Sequence, residues 1–162
     1  MLSDRLFEIA ERHPERESVI DPVHGRFTYD DVAGQVQRLA CGLRELGVDA
    51  GDRAILQLPN SIHFVVFHLA LTAIGGVTVN VPLTFREKEI GGVQAITGAK
   101  VLVIPASLQG RSDFIPMAAN VRHGAKGLAH LFIVGDAPSS ELPAAIDYHA
   151  FMRRPWESAA RV

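Results

Sequence analysis

The three lysines, Lys88, Lys100 and Lys126, are the side chains most able to meet a phosphate group. A phosphate-binding loop needs glycines, which let the backbone approach the phosphates, and usually a lysine at its end. The nearest pattern runs from Gly92 to Lys100, but its spacing is wrong and no hydroxyl residue follows the lysine. We interpret this segment as the end of a helix followed by a strand. The sequence also lacks the G-x-G-x-x-G and G-x-S-x-G patterns.

The histidines and the cysteine do not form a catalytic or metal-binding pattern either. His63 and His68 are five residues apart, which separates them by about 140° on a helix instead of pairing them on one face. Cys41 is the only cysteine, so it forms no intrachain disulfide, and its position beside a buried helix stripe favours packing. The Arg153-Arg154 pair is too small to indicate an anion site. The residues alone therefore predict no catalytic residue and no metal ligand.

The composition is that of a globular domain with its own hydrophobic core. The chain has 162 residues, of which 48% are apolar and 21% charged, and its formal net charge is −2. This balance gives no electrostatic footprint for nucleic acid or for an anionic membrane. A single cysteine fits a reducing, cytoplasmic setting. The charged N-terminus does not resemble a signal peptide, and the apolar stretch from Ile62 to Val79 is too interrupted for a membrane span.

The elements that would position any site begin with a short helix and a hairpin. Apolar residues recur at helical spacing from Leu2, and Pro14 ends that pattern. Two short strands around Val19-Ile20 and 26–28 flank a turn at 21–25. Thr28 is a predicted helix N-cap. The following helix places one face in the core and ends at Gly47; that face comprises Val32, Val36, Leu39, Ala40, Leu43 and Leu46.

Strands and helices then alternate, which is typical of right-handed βαβ units. The predicted strands are 53–58, 77–81, 100–104 and 131–134, and the predicted helices between them are 62–73, 86–97 and 113–121. We expect Asn60 or Ser61 to cap the first of these helices, and we expect a buried helix followed by a buried strand over 62–79. The fold class is therefore α/β: a doubly wound, mainly parallel sheet flanked by helices, with a small N-terminal helix and hairpin.

The C-terminal tail differs in composition from the rest of the chain. Residues 137–162 contain several prolines and serines and only a weak amphipathic patch over 146–152. We predict a domain over 1–136 and a linker-like tail over 137–162 with one short helix.

Several short motifs carry a resemblance to a known family. They are F-T-Y-D-D-V at 27–32, R-L-A-C-G-L at 38–43, L-G-V-D-A-G-D-R-A at 46–54, P-N-S-I-H-F at 59–64 and A-I-G-G-V at 73–77. In this order and at these spacings they resemble the opening region of the adenylate-forming (AMP-binding) enzymes, which include acyl-CoA synthetases, aryl-acid ligases and nonribosomal adenylation domains. The resemblance extends over about residues 2–135.

Two further segments indicate a subgroup. P-L-T-F-R-E-K-E at 82–89 looks like the variant found in ligases for cyclohexanecarboxylate-type acids. F-I-P-M-A at 114–118 and the segment 128–136 resemble both that group and the activators of 2,3-dihydroxybenzoate. The resemblance does not name the acid, and alicyclic, aryl and short-to-medium fatty acids all stay open.

The resemblance implies an ATP-dependent reaction. Family members use ATP and Mg²⁺ to convert a carboxylic acid into an acyl-adenylate, and many then transfer the acyl group to coenzyme A. The family's phosphate loop, its ribose-binding acidic residue, its hinge and its C-terminal catalytic lysine are not found in this sequence. The chain is therefore expected to be the N-terminal subdomain of such an acid–CoA ligase, inactive alone, with the remainder of the ligase as its partner and ATP, Mg²⁺ and coenzyme A as cofactors of the whole enzyme.

One residue acquires a ligand role through the resemblance. Arg86 stands where family members can place basic groups near the coenzyme A entrance. The alternatives are a solvated arginine at a helix start or one paired with Glu89. Asn60 is expected to cap a helix, and Gly75-Gly76 to allow tight helix-to-strand packing.

Two other functions stay open. The chain is either part of an aryl-acid AMP ligase of the siderophore type, or a stand-alone non-catalytic binding or assembly module. If it is a subdomain, exposed apolar surface is expected to favour self-association.

Overall fold

A computed structural model of the chain describes residues 2–136, 142 and 144–156. These residues form two compact units. The first, which we call the helical unit, draws on residues 2–51, 60–77 and 154–156, and the second, the sheet unit, draws on the described residues of 52–59 and 78–153.

The helical unit contains the predicted helix and hairpin. Its elements are α1 (Leu2–Arg12), β1 (Glu17–Asp21), β2 (Gly25–Thr28), α2 (Tyr29–Glu45) and α3 (Ile62–Ala73). Strands β1 and β2 pair antiparallel, and the three helices pack on one another. Thr28 caps α2 as predicted: its hydroxyl accepts the Asp31 N–H at 3.2 Å, and Asp31 accepts the Thr28 N–H at 2.8 Å.

A buried carboxylate joins the hairpin to helix α3. Asp21 is 4% exposed and its two oxygens accept the N–H groups of Val23 and His24, the His24 ring N–H and the Ile62 N–H. Burial by itself raises the pKa of the Asp21 carboxyl, but the hydrogen bonds, led by that from Ile62, outweigh it and hold the pKa well below its usual range. Asp21 is therefore a charged hydrogen-bonding centre inside the unit.

The sheet unit is built on five strands in the order β4-β3-β5-β6-β7. They are β3 (Arg53–Leu56), β4 (Val77–Asn80), β5 (Val101–Pro105), β6 (His130–Val134) and β7 (Ile146–Asp147). The β3–β5, β5–β6 and β6–β7 pairs are parallel, with Ala54 opposite Val101 and Val101 opposite His130. Its helices are α4 (Glu87–Thr97), α5 (Phe114–Gly124) and α6 (Tyr148–Met152).

Helices cover both faces of this sheet. On one face, alternate strand residues form a core with α4 and α5; this core includes Ile55, Leu102, Ile104, Leu131, Ile133, Ile90, Phe114 and Ala118. On the other face the Phe132 ring meets the Phe151 ring of α6 edge to face, with 5.1 Å between centroids. The predicted α/β class, with a parallel sheet flanked by helices, is confirmed.

The structure corrects several details. Strand β4 was expected to be buried, but its residues are exposed or half-buried because it is an outer strand. Ser61, not Asn60, caps α3 by accepting the Phe64 N–H at 3.4 Å. The described part of the tail contains the predicted short helix as α6 and also β7, which the sequence did not indicate. The rest of the predicted linker, at 137–141, 143 and 157–162, lies outside the described residues, and the boundary at 136 stays a prediction.

No helix in the described part of the chain combines the length and apolar character that crossing a bilayer requires.

Candidate functional site

Arg86 stands at the start of helix α4, directly after the turn Pro82–Phe85. Its backbone is extended, with φ −122° and ψ −170°, and its carbonyl accepts the first helical bond from Ile90 at 2.9 Å. The Glu89 carboxylate accepts the Arg86 backbone N–H at 2.9 Å. Glu89 therefore caps the backbone of the helix start and leaves the guanidinium to other partners.

The guanidinium of Arg86 is held against the turn. Its Nη1 donates to the carbonyl oxygens of Leu83 at 3.0 Å and Phe85 at 2.7 Å, and its Nε lies 3.5 Å from Asp113 Oδ2. The side chain is 34% exposed. The guanidinium is thus partly exposed and held by two backbone carbonyls and Asp113, whereas Glu89 contacts the Arg86 backbone.

A second arginine stands beside Arg86. Arg111 donates from Nη2 to Asp113 Oδ2 at 3.1 Å, so one carboxylate lies between two guanidinium groups. Both guanidinium carbons lie over the Phe114 ring, Arg86 at 5.6 Å and Arg111 at 5.5 Å from its centroid. The two arginines and Asp113 carry a formal charge of +1, and Glu89 at the same helix start brings the sum to zero.

An open groove extends from Arg86 between α4 and α5; we call it the α4–α5 groove. Its volume is about 710 Å³. Glu87 and Asn120 join the two helices across it by a 2.9 Å hydrogen bond. Its lining also includes Lys88, Glu89, Gly91, Gln94, Ala95, Val121, Gly124 and Ala125.

The chemistry of this groove is that of binding. The hydrogen bonds that the Arg86 guanidinium makes to described residues all come from Nη1, so Nη2 can donate to an anionic group. Histidine, cysteine, aspartate and glutamate side chains do not come together in threes as a metal site among the described residues. We therefore treat the Arg86 guanidinium, and not the groove as a whole, as the candidate anion-binding group.

The sequence did not single out Gln57, which the structure places under the same turn. Its side chain is fully buried, and Nε2 donates to the carbonyl oxygens of Phe85 at 2.9 Å and Pro82 at 3.2 Å. The one available signal was a polar residue in an otherwise apolar stretch, Ala54–Leu58.

The other predicted residues stay apart from this site. His63 is buried with its ring 4.6 Å from that of His24, whereas His68 stacks on Phe64 at 6.2 Å. Cys41 is 3% exposed and receives a contact from the Gln37 amide at 3.5 Å, which confirms its role in packing. Gly75 has φ +77°, and a Cβ there would lie 3.0 Å from that of Ala50.

Comparisons with known proteins identify the family. Residues 6–152 match the family described as AMP-binding enzyme. The chain is 34% identical over 135 residues to salicyl-AMP ligase / salicyl-S-ArCP synthetase of Mycobacterium tuberculosis, covering 81% of this chain and 24% of that protein. It is 28% identical over 150 residues to 2-hydroxy-7-methoxy-5-methyl-1-naphthoate–CoA ligase of Streptomyces carzinostaticus, covering 92% of this chain and 26% of that protein.

The fold is shared with solved structures of ligases. The anthranilate CoA ligase AuaEII in complex with anthranoyl-AMP superimposes with a TM-score of 0.81 at 18% identity, covering 93% of this chain and 27% of that one. The chain spans about a quarter of the length of the curated relatives that it matches. On the family match and on the 34% identity, the chain belongs to the AMP-binding enzyme family of adenylate-forming ligases.

Proposed function

We propose that the chain is the N-terminal part of an ATP-dependent acid–CoA ligase. The whole enzyme would activate a carboxylic acid as its acyl-adenylate, release pyrophosphate and transfer the acyl group to coenzyme A, and this chain alone would be inactive. The observation that carries the proposal is the family match over residues 6–152, combined with a span of only about a quarter of its relatives. The remainder of the ligase would then be its partner.

The proposed enzyme uses ATP and Mg²⁺ for adenylation and coenzyme A as acceptor. Adenylation gives the acid a better leaving group, and Mg²⁺ would neutralise phosphate charge in that step. The described residues offer no trio of acidic, histidine or cysteine side chains for a metal. We assign Mg²⁺ and the reacting phosphates to the rest of the enzyme, because the family's phosphate loop is not found in this sequence.

Within this chain the proposed ligand contact is Arg86, near the coenzyme A entrance. Coenzyme A carries phosphate groups, and a guanidinium is suited to bind them. The partial exposure of Arg86 and its Nη2 donors support this role. Asp113 is the competing anion.

A second candidate is a ligase that activates an aryl acid and loads it on a carrier protein. The similarity to a protein named salicyl-AMP ligase / salicyl-S-ArCP synthetase favours it. The similarity to a naphthoate–CoA ligase favours coenzyme A as acceptor instead. Both candidates share the adenylation step, and they differ in the thiol that receives the acyl group.

The test begins with the DNA downstream of the codon for Val162. A reading frame that continues into a Ser/Thr/Gly-rich loop ending in lysine would support the ligase, whereas a stop codon there would favour the stand-alone module. The continuous product is then assayed for acid-dependent exchange of pyrophosphate into ATP with aryl, alicyclic and fatty acids. Subsequent transfer to coenzyme A or to an aryl carrier protein separates the two candidates.

The 162-residue chain serves as the comparison in the same exchange assay. We expect no exchange above the protein-free background. Robust activity of this chain would refute the proposal that the catalytic residues lie in the rest of the enzyme.

We further propose a cytoplasmic location and self-association through exposed apolar side chains such as Val23 and Ile96. Light scattering that shows a monomer at all concentrations would contradict the self-association.

A further inference from the structure

The turn before Arg86 is held from two sides. On the inner side, the fully buried Gln57 donates from Nε2 to Pro82 O at 3.2 Å and Phe85 O at 2.9 Å. On the outer side, Arg86 Nη1 donates to Leu83 O and to the same Phe85 oxygen, at 3.0 Å and 2.7 Å. The Phe85 carbonyl thus accepts from both side chains.

The orientation of the Gln57 amide follows from its surroundings. Two carbonyl oxygens face one end of the amide, and carbonyl oxygens accept hydrogen bonds only, so that end must be the NH₂ group. The Oε1 atom has no donor within reach in the described part of the chain. The amide therefore acts on the turn through its donors.

The turn itself has one internal hydrogen bond. The Phe85 N–H donates to Pro82 O at 3.1 Å, which closes the four residues Pro82–Phe85. Gln57 follows β3 directly, and its own N–H donates to Val103 O of β5 at 2.9 Å. The amide thereby links a backbone anchored in the sheet to the turn that leads into α4.

We propose that Gln57 is a positioning residue for Arg86. Gln57 fixes the Phe85 carbonyl, which is one of the two acceptors on which the Arg86 guanidinium rests. Its bond to the Pro82 carbonyl holds the start of the turn that carries the other acceptor, Leu83 O. Together these bonds set the direction in which Nη2 points. This inference rests on the proposed function for the identity of the ligand that Arg86 would bind. The positioning itself involves only groups within this chain and can be tested without that ligand.

The test follows Arg86 by NMR in the full 162-residue chain. Gln57→Met keeps the side-chain length but removes both donors. We expect amide exchange at Phe85 and Arg86 to accelerate at least about tenfold and the Arg86 side-chain N–H signal to move towards that of a free arginine. Unchanged exchange and an unchanged Arg86 signal in the folded variant would overturn the proposal.

Gln94→Met is the matched control. Gln94 is also a buried glutamine of the sheet unit, and its Nε2 donates to Ala99 O at 3.3 Å, away from the turn. The same substitution should leave the Arg86 signal in place. If the Arg86 signal shifts equally in Gln94→Met and Gln57→Met, the effect comes from a general loss of packing in the sheet unit. That result would refute positioning by Gln57.

A second variant covers the case in which Gln57→Met does not fold. In Gln57→Glu the ionised carboxylate would face two carbonyl oxygens, whereas the protonated acid has one O–H donor to offer. The Arg86 signal should therefore return towards its wild-type position as the pH is lowered. The wild-type chain is titrated in parallel, because Glu89 and Asp113 also contact Arg86 and take up protons at low pH. The absence of any such pH-dependent recovery would contradict the proposal.

Titration with coenzyme A separates this inference from the proposed function. If coenzyme A does not perturb Arg86 in the wild-type chain but Gln57→Met displaces Arg86, the positioning stands and the ligand role fails. If coenzyme A perturbs Arg86 equally in wild type and Gln57→Met, with an unchanged Arg86 signal in both free proteins, the ligand role stands and the positioning fails.

Discussion

Asp21 accepts the backbone N–H of Ile62 at 2.8 Å, which joins the end of strand β1 to the first residue of helix α3 across 41 positions of sequence. The same oxygen, Oδ2, accepts the His24 ring N–H at 2.8 Å, whereas Oδ1 accepts the N–H groups of Val23 and His24. The two oxygens thus have different partners, which allows their contributions to be separated.

Asp21→Asn should destabilise the chain in a pH-dependent way. An amide can keep Oδ1 but replaces Oδ2 with a donor, so Ile62 loses its acceptor, and we expect a loss of about 2 kcal/mol at pH 7. The folded pKa of Asp21 is lowered, so the charged form stabilises the fold above the unfolded pKa of about 4 and this stabilisation is lost as the pH falls below it. Urea unfolding at pH 7 and pH 3 should show the difference between wild type and variant narrowing at pH 3; a constant difference would contradict this account.

Asp31→Asn should weaken the N-terminus of α2. The Asp31 carboxylate accepts the Thr28 N–H at 2.8 Å and the Thr28 hydroxyl at 2.9 Å, and these bonds lower the pKa of Asp31. We expect a loss of about 1 kcal/mol in urea unfolding. The control is Asp30→Asn, which removes the neighbouring first-turn charge but leaves the Thr28 contacts. Equal effects of the two substitutions would assign the loss to helix-dipole electrostatics instead of capping.

Gly92, inside α4, and Gly98, at its C-terminal cap, should change the stability of the chain in opposite directions when each is replaced by alanine. A Cβ added at Gly92 or at Gly98 would meet no neighbouring atom within 4 Å, but Gly98 has φ +64° whereas Gly92 lies inside the helix. Gly92→Ala should stabilise the chain by about 0.5 to 1 kcal/mol, because alanine reduces the freedom of the unfolded chain. Gly98→Ala should destabilise it by about 1 kcal/mol, because alanine is strained at that φ. Thermal unfolding measures both changes in stability. Changes of the same sign would refute the argument that the φ angle of each glycine decides the effect.

Asp113→Asn should strengthen coenzyme A binding at Arg86. The Asp113 carboxylate lies 3.5 Å from Arg86 Nε and competes with an incoming phosphate. We expect a gain of about two- to fivefold in affinity, in line with the small free energy of exposed ion pairs, and a loss of binding in Arg86→Met. Calorimetric titration of the chain at low salt measures both. Arg122→Met removes the same charge from α5 and should leave the affinity unchanged; a loss equal to that of Arg86→Met would indicate attraction by net charge alone.

Local sequence patterns were sufficient for the elements that local interactions define. The α2 helix followed from its apolar face and the Thr28 cap, and the buried strand β5 from its continuous apolar run. The hairpin followed from the turn at 21–25. Each of these signals comes from residues close together in the chain, so a single sequence was enough to read them.

Long-range relationships could not be read in this way. The partners of the Gln57 amide, Pro82 and Phe85, lie 25 and 28 residues away, so no local pattern marks them. The exposure of β4 depends on its outer place in the strand order, and β7 has only two residues, too few for a periodicity. The ligand role of Arg86 stays a prediction, because it came from family resemblance.

The strand order has a consequence for association between molecules. Among the described residues the sheet ends in β4 and β7, of four and two residues. A long outer strand presents a row of unpaired backbone N–H and C=O groups with which a strand of another chain can pair, whereas strands this short present few such groups. Copies of this protein that associate at the five-stranded sheet would therefore meet through side chains, and no intermolecular β-structure should be added there as the concentration rises.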